Sequence, residues 1–178
     1  MKNLFTTCLL FYFISITYGY SLERKVGDVL QLALPVTAIT STYYMNDCYG
    51  FENFMKAYIS TISTTYLLKE ITRKSRPDGT DHRSFPSGHT SSAFSGASFI
   101  HFRYSFKYSI PLYLLAAFTG YSRVESKKHY TEDVIAGAGL AIFTSWYFTS
   151  PYTNKKQSLI LDYDINSKMV KVNFIKLF

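Results

Sequence analysis

Cysteine is scarce in this chain: its 178 residues hold two, Cys8 and Cys48. Cys8 lies in an N-terminal apolar segment and Cys48 stands alone beyond it. That excludes a disulfide within the rest of the chain and a thiolate metal site. Cys8 also lacks the residues that precede a lipidated cysteine. Dense basic runs are missing too. The 19 Lys and Arg residues are scattered, so the net charge of +7 points to an anionic lipid or small anionic molecule rather than nucleic acid. Repeats and low-complexity linkers are absent, and no cofactor or metal-ligand cluster is readable. Past the N-terminal segment no uninterrupted apolar run reaches the ~20 residues of a membrane span. Tyr108–Tyr121 and Val134–Phe148 come nearest.

What the chain has is apolar and aromatic substance. Hydrophobic residues make up 47%, with 16 Tyr and 15 Phe, and the mean hydropathy is near zero. That excludes a disordered chain and fits one domain with a sizeable core. The N-terminus has the pattern of an export leader: Lys2, an apolar stretch from Leu4 to Ile16, and Thr17-Tyr18-Gly19 as a small-residue cleavage site. An uncleaved anchor helix is the alternative. Either way the expected location is exported, periplasmic or envelope-associated, with membrane-surface contact.

The expected organisation is a leader over 1–19, a helical domain over 20–156 and a C-terminal β-hairpin over 157–178. Helices are expected over about 23–44 with a kink at Pro35, 51–74, 87–102, 108–121 and 131–148. Pro77 disfavours helical geometry at Arg76 and should end the second helix there. Ala93, Gly96, Ala97 and Ser98, and later Ala136 to Gly139, are small enough for close helix packing. In the tail, Leu159, Leu161 and Tyr163 alternate, as do Val170, Val172 and Phe174, with residues 164–168 as the turn. Such a hairpin should dock on the bundle or pair elsewhere.

Three short runs carry chemistry. Lys69 and Arg76 are seven residues apart, about two helical turns, which places both on one helix face. Ser87 can cap the third helix, and Gly88 leaves its N-terminal N–H groups unobstructed; such a terminus favours phosphate. His89 follows in the first turn. His129 and Asp133, four apart, would be neighbours on one helix face, so that the carboxylate fixes the imidazole. Arg123 precedes them at a helix–loop junction. Each run alone has an ordinary structural explanation: a cationic helix end, a capped helix with an incidental His, a surface pair.

Taken together, Lys69-x6-Arg76-Pro77, Pro86-Ser87-Gly88-His89 and Ser122-Arg123-x5-His129-x3-Asp133 resemble the three-part signature of the type 2 phosphatidic acid phosphatase superfamily. That superfamily includes lipid phosphatases, bacterial class A acid phosphatases and vanadium haloperoxidases. The resemblance implies an all-α bundle and a metal-independent phosphatase. It implies that Lys69, Arg76, Ser87, Gly88 and Arg123 hold the phosphoryl oxygens. His129 would attack phosphorus, Asp133 would orient it, and His89 would protonate the leaving oxygen. The expected substrate is a phosphorylated lipid or isoprenoid. A soluble, broad-specificity acid phosphatase, a haloperoxidase and a non-catalytic envelope interaction protein are the alternatives. Of the two remaining histidines, His82 could line the entrance and His101 reads as incidental.

Overall fold

The computed structural model describes residues 2–153, 158–164 and 169–175, with side chains over 22–153. Among the described residues it holds five helices, α1 (Lys2–Tyr44), α2 (Cys48–Thr72), α3 (Gly88–Arg103), α4 (Phe106–Glu125) and α5 (Thr131–Phe148). The chain is an all-α bundle with a short C-terminal hairpin. In that hairpin β1 (Ser158–Asp164) pairs antiparallel with β2 (Met169–Ile175), Leu161 opposite Val172. Residues 165–168 of the expected turn, and the side chains on which docking would depend, lie outside the described residues. The expected leader forms the N-terminal part of α1, whose helix is continuous to Tyr44.

Helix α3 is central and packs against the other four helices. Its sequence, rich in Ser, Ala and Gly, suits that place: Thr90 to Ala93 and Ser95 to Ile100 are all buried. Leu34, Ala93, Ala97 and Ala116 form one apolar cluster, and Ala38, Phe54, Phe99 and Ile100 form another. Between them the core is held by hydroxyls. Ser98 Oγ donates to Ser145 Oγ at 2.7 Å, and Thr65 Oγ1 donates to Ser91 Oγ at 3.1 Å.

Pro35 sits inside α1 and has no N–H for the carbonyl of Gln31. Ser92 of α3 supplies the missing donor, its Oγ lying 2.7 Å from Gln31 O. One turn on, Gly96 lets α3 approach this point: a Cβ there would lie 2.4 Å from the Leu34 carbonyl and 2.8 Å from Pro35 N. Of the small residues expected to pack in α5, Gly137 faces Ser91 of α3 and the carbonyl of Ser87 just before it, whereas Gly139 faces open space.

At the end of the bundle away from the signature residues, Arg103 and Asp47 form a buried bidentate pair with distances of 2.6 and 2.5 Å. The same arginine donates to the Ser150 carbonyl at 2.7 Å. It thereby ties α3 to the α1–α2 turn and to the segment after α5.

Candidate active site

The signature residues converge through loops rather than along single helices. Helix α2 stops after Thr72, because Arg73 turns left-handed (φ 43°) and its N–H closes the helix on Lys69 O at 3.1 Å. Arg76 therefore lies in the following loop, not on the helix face of Lys69 as expected. That loop folds back on itself: Arg76 N donates to Asp81 O at 3.0 Å, and Ser84 N to Lys74 O at 2.9 Å. Arg76 Nε also donates to the Asp81 carboxylate at 2.6 Å. Lys69 is buried and spends two of its three N–H donors on the carbonyls of Arg83 (2.8 Å) and Pro86 (2.6 Å). Burial, reinforced by the charge of Arg76, lowers its pKa to about 8.

His129 likewise precedes α5 instead of standing on it, while Asp133 is in its first turn. The expected neighbourhood nevertheless exists, with His129 Nδ1 3.7 Å from Asp133 Oδ2. Asp133 is fully buried and is the hub of this side of the site. It accepts from Lys74 Nζ at 2.8 Å, from Tyr130 N at 2.9 Å and from the Ser84 hydroxyl. Burial pushes its pKa up, but the bonds from Lys74, Ser84 and Tyr130 outweigh this and hold it below the ordinary carboxylate value. His129 is buried, and its Nδ1 has no hydrogen-bond partner. Burial, then the charges of Lys69 and Arg76, lower its pKa to about 4, so it is neutral at pH 7.

On the opposite side, Arg123 is almost completely buried, and its Nη1 donates to Asp28 Oδ1 at 2.7 Å. Ser122, its partner in the signature, accepts from Arg123 Nε and Nη2, both at 3.1 Å. His89 Nε2 lies 3.0 Å from the same Asp28 oxygen. Its pKa is lowered to about 4 by burial and by Arg123, with Asp28 acting against them. Ser87 occupies the N-cap of α3 but does not cap it: its hydroxyl is fully buried and accepts from Thr90 Oγ1 at 3.0 Å. A Cβ on Gly88 would meet nothing closer than Lys69 Cε at 3.8 Å, so the glycine leaves open room beside the lysine.

These groups border a cleft of about 400 Å³. Lys69, Arg76, Arg83, Gly88, His89 and His129 line its polar end; Leu32, Tyr58, Ile62 and Tyr66, from α1 and α2, line the other. A second, more polar cleft of about 280 Å³ meets it at His89, His129 and Arg76 and is bordered by Arg24, Asp28, Arg123 and Lys128. His82 does not border either cleft and hydrogen-bonds Ser75 at 2.8 Å. His101 packs among Phe102, Phe106 and Tyr113. Sequence reasoning missed Asp28, Lys74 and Ser84. Lys74 carried a signal, in its proximity to the first run; Asp28 and Ser84 had none.

The chain has parallels among known proteins. The sequence profile of the PAP2 superfamily matches residues 5–157. The lipid A 4'-phosphatase of Helicobacter pylori is 30% identical over 174 residues, spanning 89% of this chain and 87% of that protein. The lipid A 1-phosphatase of Porphyromonas gingivalis is 44% identical over 70 residues, 38% of this chain and 16% of that protein. In the crystal structure of Aquifex aeolicus LpxE, 23% identical residues align with a TM-score of 0.44 over 70% of this chain and 90% of that one. The chain thus belongs to the PAP2 superfamily and is one of its phosphatases.

Proposed function

We propose that this protein removes a phosphate group from a lipid or isoprenoid, as a monoester or diphosphate, through a phosphohistidine. The observation that carries the reading is the cleft with two unlike ends. Cations and two neutral imidazoles gather at one end, and apolar side chains of α1 and α2 form the other. A phosphorylated amphiphile fits both; a small soluble ester uses only the first. The names of the relatives, two of them lipid A phosphatases, agree with a lipid substrate.

In this mechanism Lys69, Arg76 and Arg123 hold the phosphoryl oxygens, with the Gly88 N–H beside them at the start of α3. The Ser87 hydroxyl, expected in the same cradle, is fully buried against Thr90 and borders neither cleft. His129 turns its buried Nδ1 toward Asp133, which leaves Nε2 as the nucleophile. As the N–P bond forms, the ring becomes cationic and Nδ1–H closes the 3.7 Å gap to the Asp133 carboxylate. The P–O bond of the ester breaks, and its electron pair leaves with the alcohol together with a proton from His89, which has taken that proton up from solvent on binding of the phosphate dianion. Neutral His89 then takes a proton from water, whose oxygen displaces His129 from phosphorus.

The protein is proposed to act outside the inner compartment, in the periplasm or envelope, with its apolar outer faces against a membrane. The leader pattern over 1–19 and the exposed Leu114, Ile135, Phe143 and Trp146 support that reading. Among the described residues no helix is long and apolar enough to cross a membrane. The decisive experiment is a panel of micellar lipid phosphates and soluble esters, run with the wild type and His129→Ala. Lipid phosphates should be preferred, and the variant should be inactive on all of them. Equal turnover of soluble esters would favour the acid-phosphatase alternative, and an active variant would refute the phosphohistidine.

A further inference from the structure

Asp28 lies more than 40 residues upstream of the first signature residue, on α1, yet it touches two signature groups. One of its oxygens, Oδ1, takes both His89 Nε2 at 3.0 Å and Arg123 Nη1 at 2.7 Å. The approach is built into α1. Arg24 offers its carbonyl to Arg123 Nη2 at 2.7 Å, one turn before Asp28. Gly27 lies between them; a Cβ there would fall 2.2 Å from Ser122 Oγ and 2.7 Å from Arg123 Nη2. A carbonyl, a missing side chain and a carboxylate on successive positions of one helix face thus surround the arginine.

We propose that Asp28 is a positioning residue for the leaving-group step: it holds His89 by Nε2, so that Nδ1 delivers the proton. This rests on the phosphatase reading above. The site then has two His–Asp dyads of opposite sense. Asp133 faces Nδ1 of His129 and frees Nε2 for attack; Asp28 faces Nε2 of His89 and frees Nδ1 for acid catalysis. As the P–O bond breaks, its electron pair stays on the leaving oxygen, which takes the Nδ1 proton. His89 is left neutral, with Nε2–H still donated to Asp28. The groups facing His89 explain why a carboxylate is needed there. Arg123 from α4 and Arg76 from the loop both disfavour its protonated form, and burial adds to them; Asp28 from α1 is the carboxylate that opposes them. Arg24, Asp81, Lys128 and neutral His129 border the same cleft.

The test compares Asp28→Asn with the wild type on two esters: an alkyl phosphate, whose leaving alkoxide needs a proton, and p-nitrophenyl phosphate, whose phenolate does not. The expected result is a loss of kcat of about 10- to 100-fold on the alkyl ester, and a much smaller loss on the aryl ester. The alkaline limb of the alkyl-ester pH profile should move to lower pH, and Asp28→Glu should restore part of the rate. Equal losses on both esters would reduce Asp28 to a support for Arg123 and overturn the proposal, as would unchanged kinetics. A wild type inactive on both esters would instead refute the phosphatase reading. Because Asp28→Asn keeps the side chain's shape, a native thermal midpoint is expected. Should it misfold, ¹⁵N shifts of wild-type His89 decide the matter: a proton on Nε2 supports the dyad, and one on Nδ1 in the neutral ring overturns it.

Discussion

A histidine that attacks phosphorus must be neutral, and one that protonates a leaving oxygen must be charged, yet both imidazoles here start neutral at pH 7. Burial lowers each to about 4, with Lys69 and Arg76 acting on His129 and Arg123 on His89. For His129 this is the reactive form. For His89 the substrate itself must supply the difference: a phosphate dianion placed on Arg76 and Arg123 cancels the charge that opposes protonation. NMR titration should therefore find both rings near 4 in the free protein, with His89 moving up on adding vanadate or phosphate. A His89 that ignores the anion would contradict this. The same shifts set the sign of the pH dependence of stability. Both folded values lie below the ordinary 6.5, so the unfolded chain binds more protons between about 6.5 and about 4. Stability is full above that window and is lost as pH falls through it, with a further loss below as the depressed Asp133 protonates. Thermal midpoints measured from pH 7.5 to 4 check this, and His129→Gln should flatten the decline. Asp133→Asn removes the charge that faces the imidazolium while keeping an acceptor for Tyr130 N. It should lower kcat by at least about 10²-fold with little change in KM, measured on the preferred ester.

At the scale of helices, the weak points of the sequence are where the packing is most specific. Pro35 deprives Gln31 of its partner, and Ser92 repairs the loss across the α1–α3 contact, with Tyr58 OH 3.0 Å away on the same hydroxyl. Ser92→Ala would leave the partly buried Gln31 carbonyl without this partner and should cost about 1 kcal/mol. Gly96→Ala would drive a methyl into the Leu34 carbonyl and should cost about 1–3 kcal/mol by overpacking. Urea unfolding of the two variants checks both. This contact also shows what could be read from the chain beforehand. Periodicity located all the helices, and Gly96 was legible as a close-packing residue. Local signals did not reveal where helices end. Pro77 marked a stop for α2, but the left-handed Arg73 ended it earlier, a conformation that only the folded loop makes favourable. The helical spacing used to join Lys69 to Arg76, and His129 to Asp133, was consequently the wrong reason for a real proximity. Loops closed by backbone bonds, such as Ser84 N to Lys74 O, bring these side chains together. The contribution of α1 was illegible for another reason. Asp28 and Gly27 acquire meaning only from Arg123 and His89, which lie far along the chain, and no local pattern marks a residue by a partner so distant.

The whole molecule is organised unusually for a bundle of this size: hydroxyls fill much of its interior and large apolar side chains much of its surface. Thr61, Thr65, Thr90, Ser91, Ser95, Thr119 and Ser145 are buried, while Leu32, Val36, Leu67, Leu114, Ile135, Phe143 and Trp146 are each more than half exposed. The charges lie toward the two ends. Between them run uncharged stretches: residues 29–46 of α1 and its turn, 57–68 of α2, 108–122 of α4 and 134–148 of α5. Fifteen helical residues rise about 22 Å, less than the ~30 Å hydrocarbon layer of a bilayer. A girdle of that height agrees with the proposed contact with lipid over part of a membrane's depth, in which interior hydroxyl bonding would serve a bundle whose outer faces are partly out of water. This geometry gives the proposed membrane contact an internal probe. Trp146 is the chain's single tryptophan, 60% exposed on α5, with the Phe143 ring centroid 6.0 Å away. Added lipid vesicles should shift its emission to the blue, and acyl chains brominated near their carbonyl ends should quench it more than lipids carrying a headgroup quencher. Trp146→Phe should abolish the signal without lowering turnover of a soluble ester, because the residue does not border the catalytic clefts. Emission unchanged by vesicles at any lipid ratio would remove the girdle from contact with the membrane. The apolar end of the catalytic cleft would then have to receive its lipid from micelles or a carrier instead of from a bilayer.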